Sequence, residues 1–466
     1  MFLRKTILAV SLAVLVSACT APLEMTAEEK SVLGQSWNAP LPDQQGGPSI
    51  SDARLWWASW NDPELLALTE AALRSNTDVR TALANLKAAA SLSDAATAAL
   101  FPSADVSGNA NRQNRGGNTT DSFSAQASLS WSWSLVGGNV AAKRAANYEA
   151  LASAMTLEDT KIAVVSEVAQ DFINLRLAEV KRVITEKKLR NFEQAAQIAQ
   201  WRFEAGLATQ TEVDQAAASR DSIRAQLPVC DVAIAKYRNA LARLCVMNVS
   251  DLPLKENASV PVAPENLAVK IPAETLRQRP DMRAAEFSVQ AAGERVYEAK
   301  SNWFPTLQIS GNLGTQAATI GALGASGTGI AALIGALSVP LFNWNDQVAA
   351  VQQKEAALDK ARAAYTAVLV KALEETENAL NGISAAKRRT EDLESSLASA
   401  KSSADLALMQ YRSGLTDYQT VLSTQQSLFS AEEGLEENKA DLATNFIKLF
   451  LALGGGWKSP EAQQQS

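Results

Sequence analysis

Three cysteines and no histidine in 466 residues bound the chemistry open to this chain. Without histidine, the usual general base, a Ser-His triad and most zinc sites are excluded. Lysine or carboxylate chemistry stays open in principle, but no spacing calls for it, and no catalytic residue, metal or cofactor is expected. The one cysteine placed for chemistry is Cys19. Arg4 and Lys5 precede an apolar run from Ile7 to Val16, and Ser17 and Ala18 lead into the cysteine, the layout of a bacterial secretory signal. Val16-Ser17-Ala18-Cys19 resembles a lipobox, in which the cysteine becomes the lipidated first residue of the mature protein. The competing reading is an ordinary signal peptide with an incidental cysteine. Thr20 is not the aspartate that would hold a lipoprotein at the inner membrane. One acyl anchor holds weakly, whereas a triacyl group together with a spanning barrel would hold firmly. Cys230 and Cys245 fall in one predicted helix, about 22 Å apart at the helical rise, and cannot pair. They read as buried small hydrophobes.

A net charge of −7 argues against nucleic acid as a partner, and 47% hydrophobic residues are ample for a large core. After Val16 no apolar stretch is long enough for a membrane helix, so a membrane could be spanned only by a closed barrel.

The chain is written twice. Leu100-Phe101-Pro102, with Val106-Ser107-Gly108-Asn109, returns as Trp303-Phe304-Pro305 with Ile309-Ser310-Gly311-Asn312. Arg202-Phe203-Glu204-Ala205-Gly206-Leu207 returns as Gln410-Tyr411-Arg412-Ser413-Gly414-Leu415. Each half runs helix, hairpin, helix, turn, helix, and the second hairpin carries about five extra residues, which a surface loop tolerates. Asp62 caps a helix with Pro63 in its first turn, Arg279-Pro280-Asp281 opens the equivalent helix in the same way, and both end at the Phe-Pro pairs.

There the period changes from 3.6 to 2. From Ser122 to Leu135, Phe123, Ala125, Ala127, Leu129, Trp131, Trp133 and Leu135 alternate without error with serine and glutamine. A transmembrane β-strand needs about 9–11 such residues with aromatics at the membrane interface, here Trp131 and Trp133. A half-buried strand of a soluble sheet would alternate alike. Val106 to Asn111 and Leu307 to Leu313 alternate more briefly, and Gly329 to Val339 is apolar on both faces. Four strands cannot close a barrel, whereas three chains would supply twelve.

The remaining helices are very long and rich in alanine, from about Asn139 to Phe203 and from about Asn345 to Tyr411, each near 97 Å at the helical rise. Each reaches a glycine turn, Gly206 or Gly414, from which a second helix returns antiparallel. A coiled-coil spacer is the alternative, but it leaves the β-hairpins unexplained.

At this point the chain resembles the outer membrane factor family, the TolC and OprM type of efflux outlet, in its lipoprotein branch. The matching segments are Trp56-Trp57 with Asn61-Asp62-Pro63-Glu64-Leu65, Arg279-Pro280-Asp281 with Ala285-Glu286, Phe304-Pro305, Pro340-Leu341-Phe342, Tyr411-Arg412-Ser413-Gly414, and Ala452-Leu453-Gly454-Gly455-Gly456-Trp457. The resemblance implies a mostly α protein with a small transmembrane β part: a homotrimeric α-helical barrel continuous with a twelve-strand β-barrel in the outer membrane, four strands per protomer. It implies a periplasmic end closed by helical hairpins that move apart, a periplasmic adaptor, and an inner-membrane pump that supplies the energy, proton-driven or ATP-driven. By position Tyr411 and Glu212 match a tyrosine and an acid that bond between hairpins; ordinary solvated helix residues are the alternative. Where relatives often carry a pore-narrowing ring of aspartates, this chain has Thr420 and Ser423, so cation selectivity is expected to be weaker, with Asp417 the nearest acid.

The expected plan is a signal over 1–18, a lipid-anchored tether over 19–60, and a first repeat over 61–260 with its hairpin at 102–136. A second repeat over 261–457 has its hairpin at 305–341, and a disordered tail fills 458–466. The expected function is an outer-membrane channel exporting drugs or other small toxic molecules. An outlet for polypeptide secretion, or a non-conducting lipoprotein scaffold across the periplasm, are the alternatives.

Overall fold

A computed structural model describes residues 39, 60–255, 259–263, 276, 278–340, 342 and 344–454. Cys19, the signal, nearly all of the tether and the tail lie outside the described residues. Helices α1 (Pro63–Ser75) and α2 (Thr77–Ala98) lead to strands β1 (Ser103–Arg115) and β2 (Asn118–Ser134). Helices α3 (Gly138–Glu204), α4 (Gln210–Arg224) and α5 (Leu227–Cys245) complete the first repeat. The second has α6 (Pro280–Ser301), β3 (Thr306–Ala317), β4 (Gly329–Ser338), α7 (Trp344–Arg412) and α8 (Tyr418–Ala452). Two units emerge, one of residues 84–155 and 283–368, the other taking the rest of the described chain.

Four expectations need correction. The first helix is broken at Asn76, whose side-chain oxygen accepts from Asp78 N at 2.8 Å and Val79 N at 3.3 Å, competing with the helical ladder. The Phe-Pro helices stop earlier, at Ala98 and Ser301; Phe101 N and Phe304 N close tight turns onto those residues' carbonyls. The return from Gly206 is two helices, split ahead of Pro228, which lacks the N–H to continue a ladder, while the return from Gly414 is unbroken. Finally, the two openings differ. Asp62 accepts from Glu64 N at 2.9 Å and Leu65 N at 3.1 Å, a true cap. Asp281 stands inside its helix and takes the fork of Arg279 at 2.9 and 2.7 Å.

In the first unit the strands form one antiparallel sheet in the order β1-β2-β3-β4. Trp131 pairs with Ile309 and Trp133 with Leu307, Leu307 pairs with Leu337, and Ala127 joins Val106 to Leu313, so one face is apolar across all four strands as far as Ala110 and Phe123, beyond which it carries the Arg112–Asp121 ion pair. The opposite face carries Ser103, Asp105, Ser107 and Asn109, the β2 serines, and Gln308, Ser310 and Asn312. Only β4 departs: before its last residue on that face, Ser338, it places Ile330, Ala332, Ile334 and Ala336 there. Next to the sheet, Trp131 Nε1 donates to Leu100 O at 3.1 Å, and Trp303 meets Trp344 edge-on at 4.5 Å. Arg144 pairs with Glu294 at 2.9 Å and Arg295 with Glu149 at 3.1 Å, joining α3 to α6.

In the second unit α3 lies between the return helices and α8. Arg182 bonds Asp231 of α5 at 2.7 Å, and on its other side Lys181 reaches Glu437 and Asn191 reaches Gln425 of α8. Asn438 then ties α8 to α7 through Ala386 O and Thr390 Oγ1, both at 2.9 Å. Leu65, Leu68, Phe172, Ile173, Leu241 and Leu244 are fully buried. Cys245 is buried and its thiol, pushed up to about 11 by burial, donates to Leu68 O; Cys230 is only half-buried, beside Thr185.

Candidate functional site

Both helical hairpins turn the same way because both meet glycine at the same step. Gly206 has φ of 72° and Gly414 of 73°, a left-handed geometry that glycine adopts without steric cost. Leu207 N then reaches back to Arg202 O at 2.7 Å, and Leu415 N to Gln410 O at 2.8 Å, which satisfies the last helical carbonyls. The next helices are capped in register: Thr209 accepts from Glu212 N at 3.3 Å, and Asp417 from Thr420 N at 2.8 Å.

This duplication puts Glu212 and Thr420 at equivalent positions, and their side chains do different work. Thr209-Gln210-Thr211-Glu212 reads as a capping box, in which glutamate would return to its own cap. Instead Glu212 Oε1 accepts from the Tyr411 hydroxyl at 2.6 Å, linking the first hairpin to the second. Tyr411 is wholly buried, and its hydroxyl is held well above the usual tyrosine range, first by burial and then by the Glu212 bond. Arg202 completes the link, which sequence reasoning missed: its guanidinium lies 4.7 Å over the Tyr411 ring while Nη1 donates to Tyr411 O at 2.8 Å. The signal was the duplicated turn itself, since Arg202 is the residue aligned with Gln410, next to Tyr411.

Thr420 turns inward to its cap, donating from Oγ1 to Asp417 Oδ1 at 2.6 Å. That bond is the chief reason the Asp417 carboxyl lies below the usual range. Ser423 Oγ bonds back to Thr420 O at 3.1 Å. Around the turns the surface is apolar: Leu207 is 70% and Leu415 79% exposed. Beside them a cavity of about 560 Å³ is lined by Ile198, Trp201, Arg202, Leu207 and Arg412.

At the sheet, Trp131 and Trp133 stand 5.6 Å apart at one end of the apolar face. Among the described residues no cluster of acids, cysteines or histidines could hold a metal ion, and no helix is long and apolar enough to cross a membrane. The apolar sheet face is the surface suited to lipid.

Comparison with known proteins agrees with this geometry. The pyoverdine export outer membrane protein OpmQ of Pseudomonas putida is 28% identical over 456 residues, 95% of each chain. The toluene efflux pump outer membrane protein TtgF of Pseudomonas putida is 26% identical over 422 residues, 88% of each chain. The Campylobacter jejuni CmeC outer membrane channel superposes with a TM-score of 0.84 at 22% identity, covering 96% of each chain. A family model described as outer membrane efflux protein matches residues 68–245 and 271–455, one span in each repeat. The chain belongs to the outer membrane efflux protein family and acts as a transport channel of the outer membrane, with no enzymatic role.

Proposed function

We propose that this chain is the outlet of a three-part export system, a passive conduit that receives drugs or other small toxic molecules from an inner-membrane pump through a periplasmic adaptor. The observation that carries this reading is the sheet face, apolar across four strands and ending in paired tryptophans. Four strands leave two open edges in the membrane, so three copies close a twelve-strand barrel with the apolar face toward lipid. Cys19 carries the lipid that fixes the chain to the same membrane. The helical tips form the closed end, with the Tyr411–Glu212 bond as a latch and the exposed Leu207 and Leu415 as the surface offered to the adaptor. Pyoverdine and toluene, the cargoes in the names of two relatives, are chemically unlike. A shared duct that serves both types makes few specific contacts, so the pump selects the cargo.

Photo-crosslinking in intact cells from a probe at Leu415 tests this. Capture of the adaptor of a proton-driven pump is the expected result. Capture of an ATP-driven exporter's adaptor would move the role to polypeptide secretion, and no adaptor, where a known outlet captures one, would overturn the docking surface.

A further inference from the structure

The polar face of the sheet has one row that does not belong to it. On β3 that face reads Gln308, Ser310, Asn312 and Gly314, and the residues paired with these on β4 are Ala336, Ile334, Ala332 and Ile330. Ala332, Ile334 and Ala336 are exposed, Ile334 to 58%, and Ile330 is half-buried, so burial in the protomer does not explain the row. It is one strand wide, about 5 Å, and about 20 Å long from Ile330 to Ala336. No charged residue occurs anywhere from Ser301 to Asn345, whereas the first hairpin carries Asp105, Arg112, Arg115 and Asp121.

The row ends at a cavity. About 770 Å³ of space is lined by Ser130, Ser132, Gln308, Ser310 and Ala336 of the same face and by Phe101, and none of its lining residues is charged. That volume suits one small molecule of drug size, and a mostly apolar wall with a few hydroxyl and amide groups suits a neutral one. The strip is too narrow to seat a helix of a protein partner, about 10 Å across. An anionic solute would lose hydration here with no counter-charge in return, and Asp105, the acid on this face two residues along β1 from the lining Ser103, is not among the lining residues.

We infer that the cavity and the β4 row that leads to it form a subsite for neutral, partly apolar small molecules on the inner wall of the barrel. Ile330 and Ile334 supply the apolar track, and Gln308 and Ser310 supply hydrogen bonds at its end. The inference rests on the channel reading above, which makes this face the lumenal one. It assigns to the outlet a weak preference of its own, beyond what the pump selects.

The test is a fluorescence titration of the protein in lipid nanodiscs with N-phenyl-1-naphthylamine, a neutral aromatic amine, after subtraction of protein-free nanodiscs. A saturable component is expected in the unaltered protein. Ile330→Thr with Ile334→Thr, and separately Ala336→Gln, should weaken it at least fivefold, while Leu333→Thr on the opposite face should leave it unchanged. The same preparations are placed in planar bilayers. Conductance without saturable binding, or with binding indifferent to the three lumenal substitutions, would overturn the subsite alone. Absence of conductance from every preparation would overturn the channel reading and the subsite with it.

Discussion

The Tyr411 hydroxyl and the Glu212 carboxylate meet at 2.6 Å across the two helical hairpins, and Arg202 covers the tyrosine ring from the third side. A hydrogen bond to a charged acceptor in such a place contributes about 1.5–3 kcal/mol. Tyr411→Phe removes the bond and keeps the ring under Arg202. If the pair is the latch, Tyr411→Phe and Glu212→Gln each raise single-channel conductance, and the double substitution adds little to either. Additive effects in that cycle would mean that the two side chains act separately.

Arg176 makes the second prediction. It is 1% exposed and bonds carboxylates from two helices, Glu64 of α1 and Glu179 of α3, as well as Lys255 O at 3.2 Å. Arg176→Ala strips the buried Glu64 of its guanidinium and leaves Glu179 to the half-exposed Arg238 at 3.0 Å, so thermal or denaturant stability should fall by about 3–5 kcal/mol. Combining Arg176→Met with Glu64→Gln should cost less than Arg176→Met alone, because the remaining buried charge is smaller. A loss below about 1 kcal/mol for Arg176→Ala would show that water already reaches the cluster.

Much of this was legible in the sequence because its signals are local and repeated. The alternation from Ser122 to Leu135 reports the strand and its two faces, and Gly206 and Gly414 report the turns through a backbone geometry that few other residues adopt. Tyr411 with Glu212 was readable only by resemblance, since 199 positions separate them and nothing in either residue names its partner. What stayed hidden depends on which of several competing groups wins after packing. Asn76 could have continued its helix, yet its amide also donates to Leu244 O at 3.0 Å, a contact made only once α5 has docked. Arg279 takes the place that the cap Asp62 holds in the first repeat, yet it is shared among Asp281, Glu375 and Ala452 O, which lie far apart in sequence.

That cluster carries a pH prediction. Asp159 of α3 is half-buried near it, and its carboxyl is pushed up from 3.8 to about 6, first by burial, then by Asp281 and Glu375, against the opposing pull of Arg279 and Lys371. The folded state therefore holds a proton that the unfolded chain has released between roughly pH 4 and 6. The resulting penalty is absent below about pH 4, grows as pH rises through 6, and is complete above it. Asp159→Asn removes it, so the variant should gain on the order of 1–2 kcal/mol at pH 8 and nothing at pH 4. An equal gain at both pH values, read from thermal melts, would assign the effect to packing.

The last prediction concerns what the tips do to ions. Glu212 and Thr420 occupy equivalent positions after the two turns, but Glu212 is half-buried and turned to Tyr411, and the Thr420 hydroxyl is bonded to Asp417. In the proposed closed end, Glu212 faces Tyr411, Thr420 carries no carboxylate, and Ser423 is neutral and bonded back to its own helix. Asp417, exposed and held in its ionised form by its cap, is the fixed negative charge left at the second turn. Reversal potentials under a salt gradient should therefore show modest cation preference, reduced by Asp417→Asn and untouched by Ser423→Ala. Thr420→Asp places a second acid beside the first in each protomer, and threefold repetition of that pair should strengthen the preference, most at low salt where screening is weakest. If Ser423→Ala abolished the preference, the pore would narrow one turn further along α8, and the charge that governs it would have to be sought there.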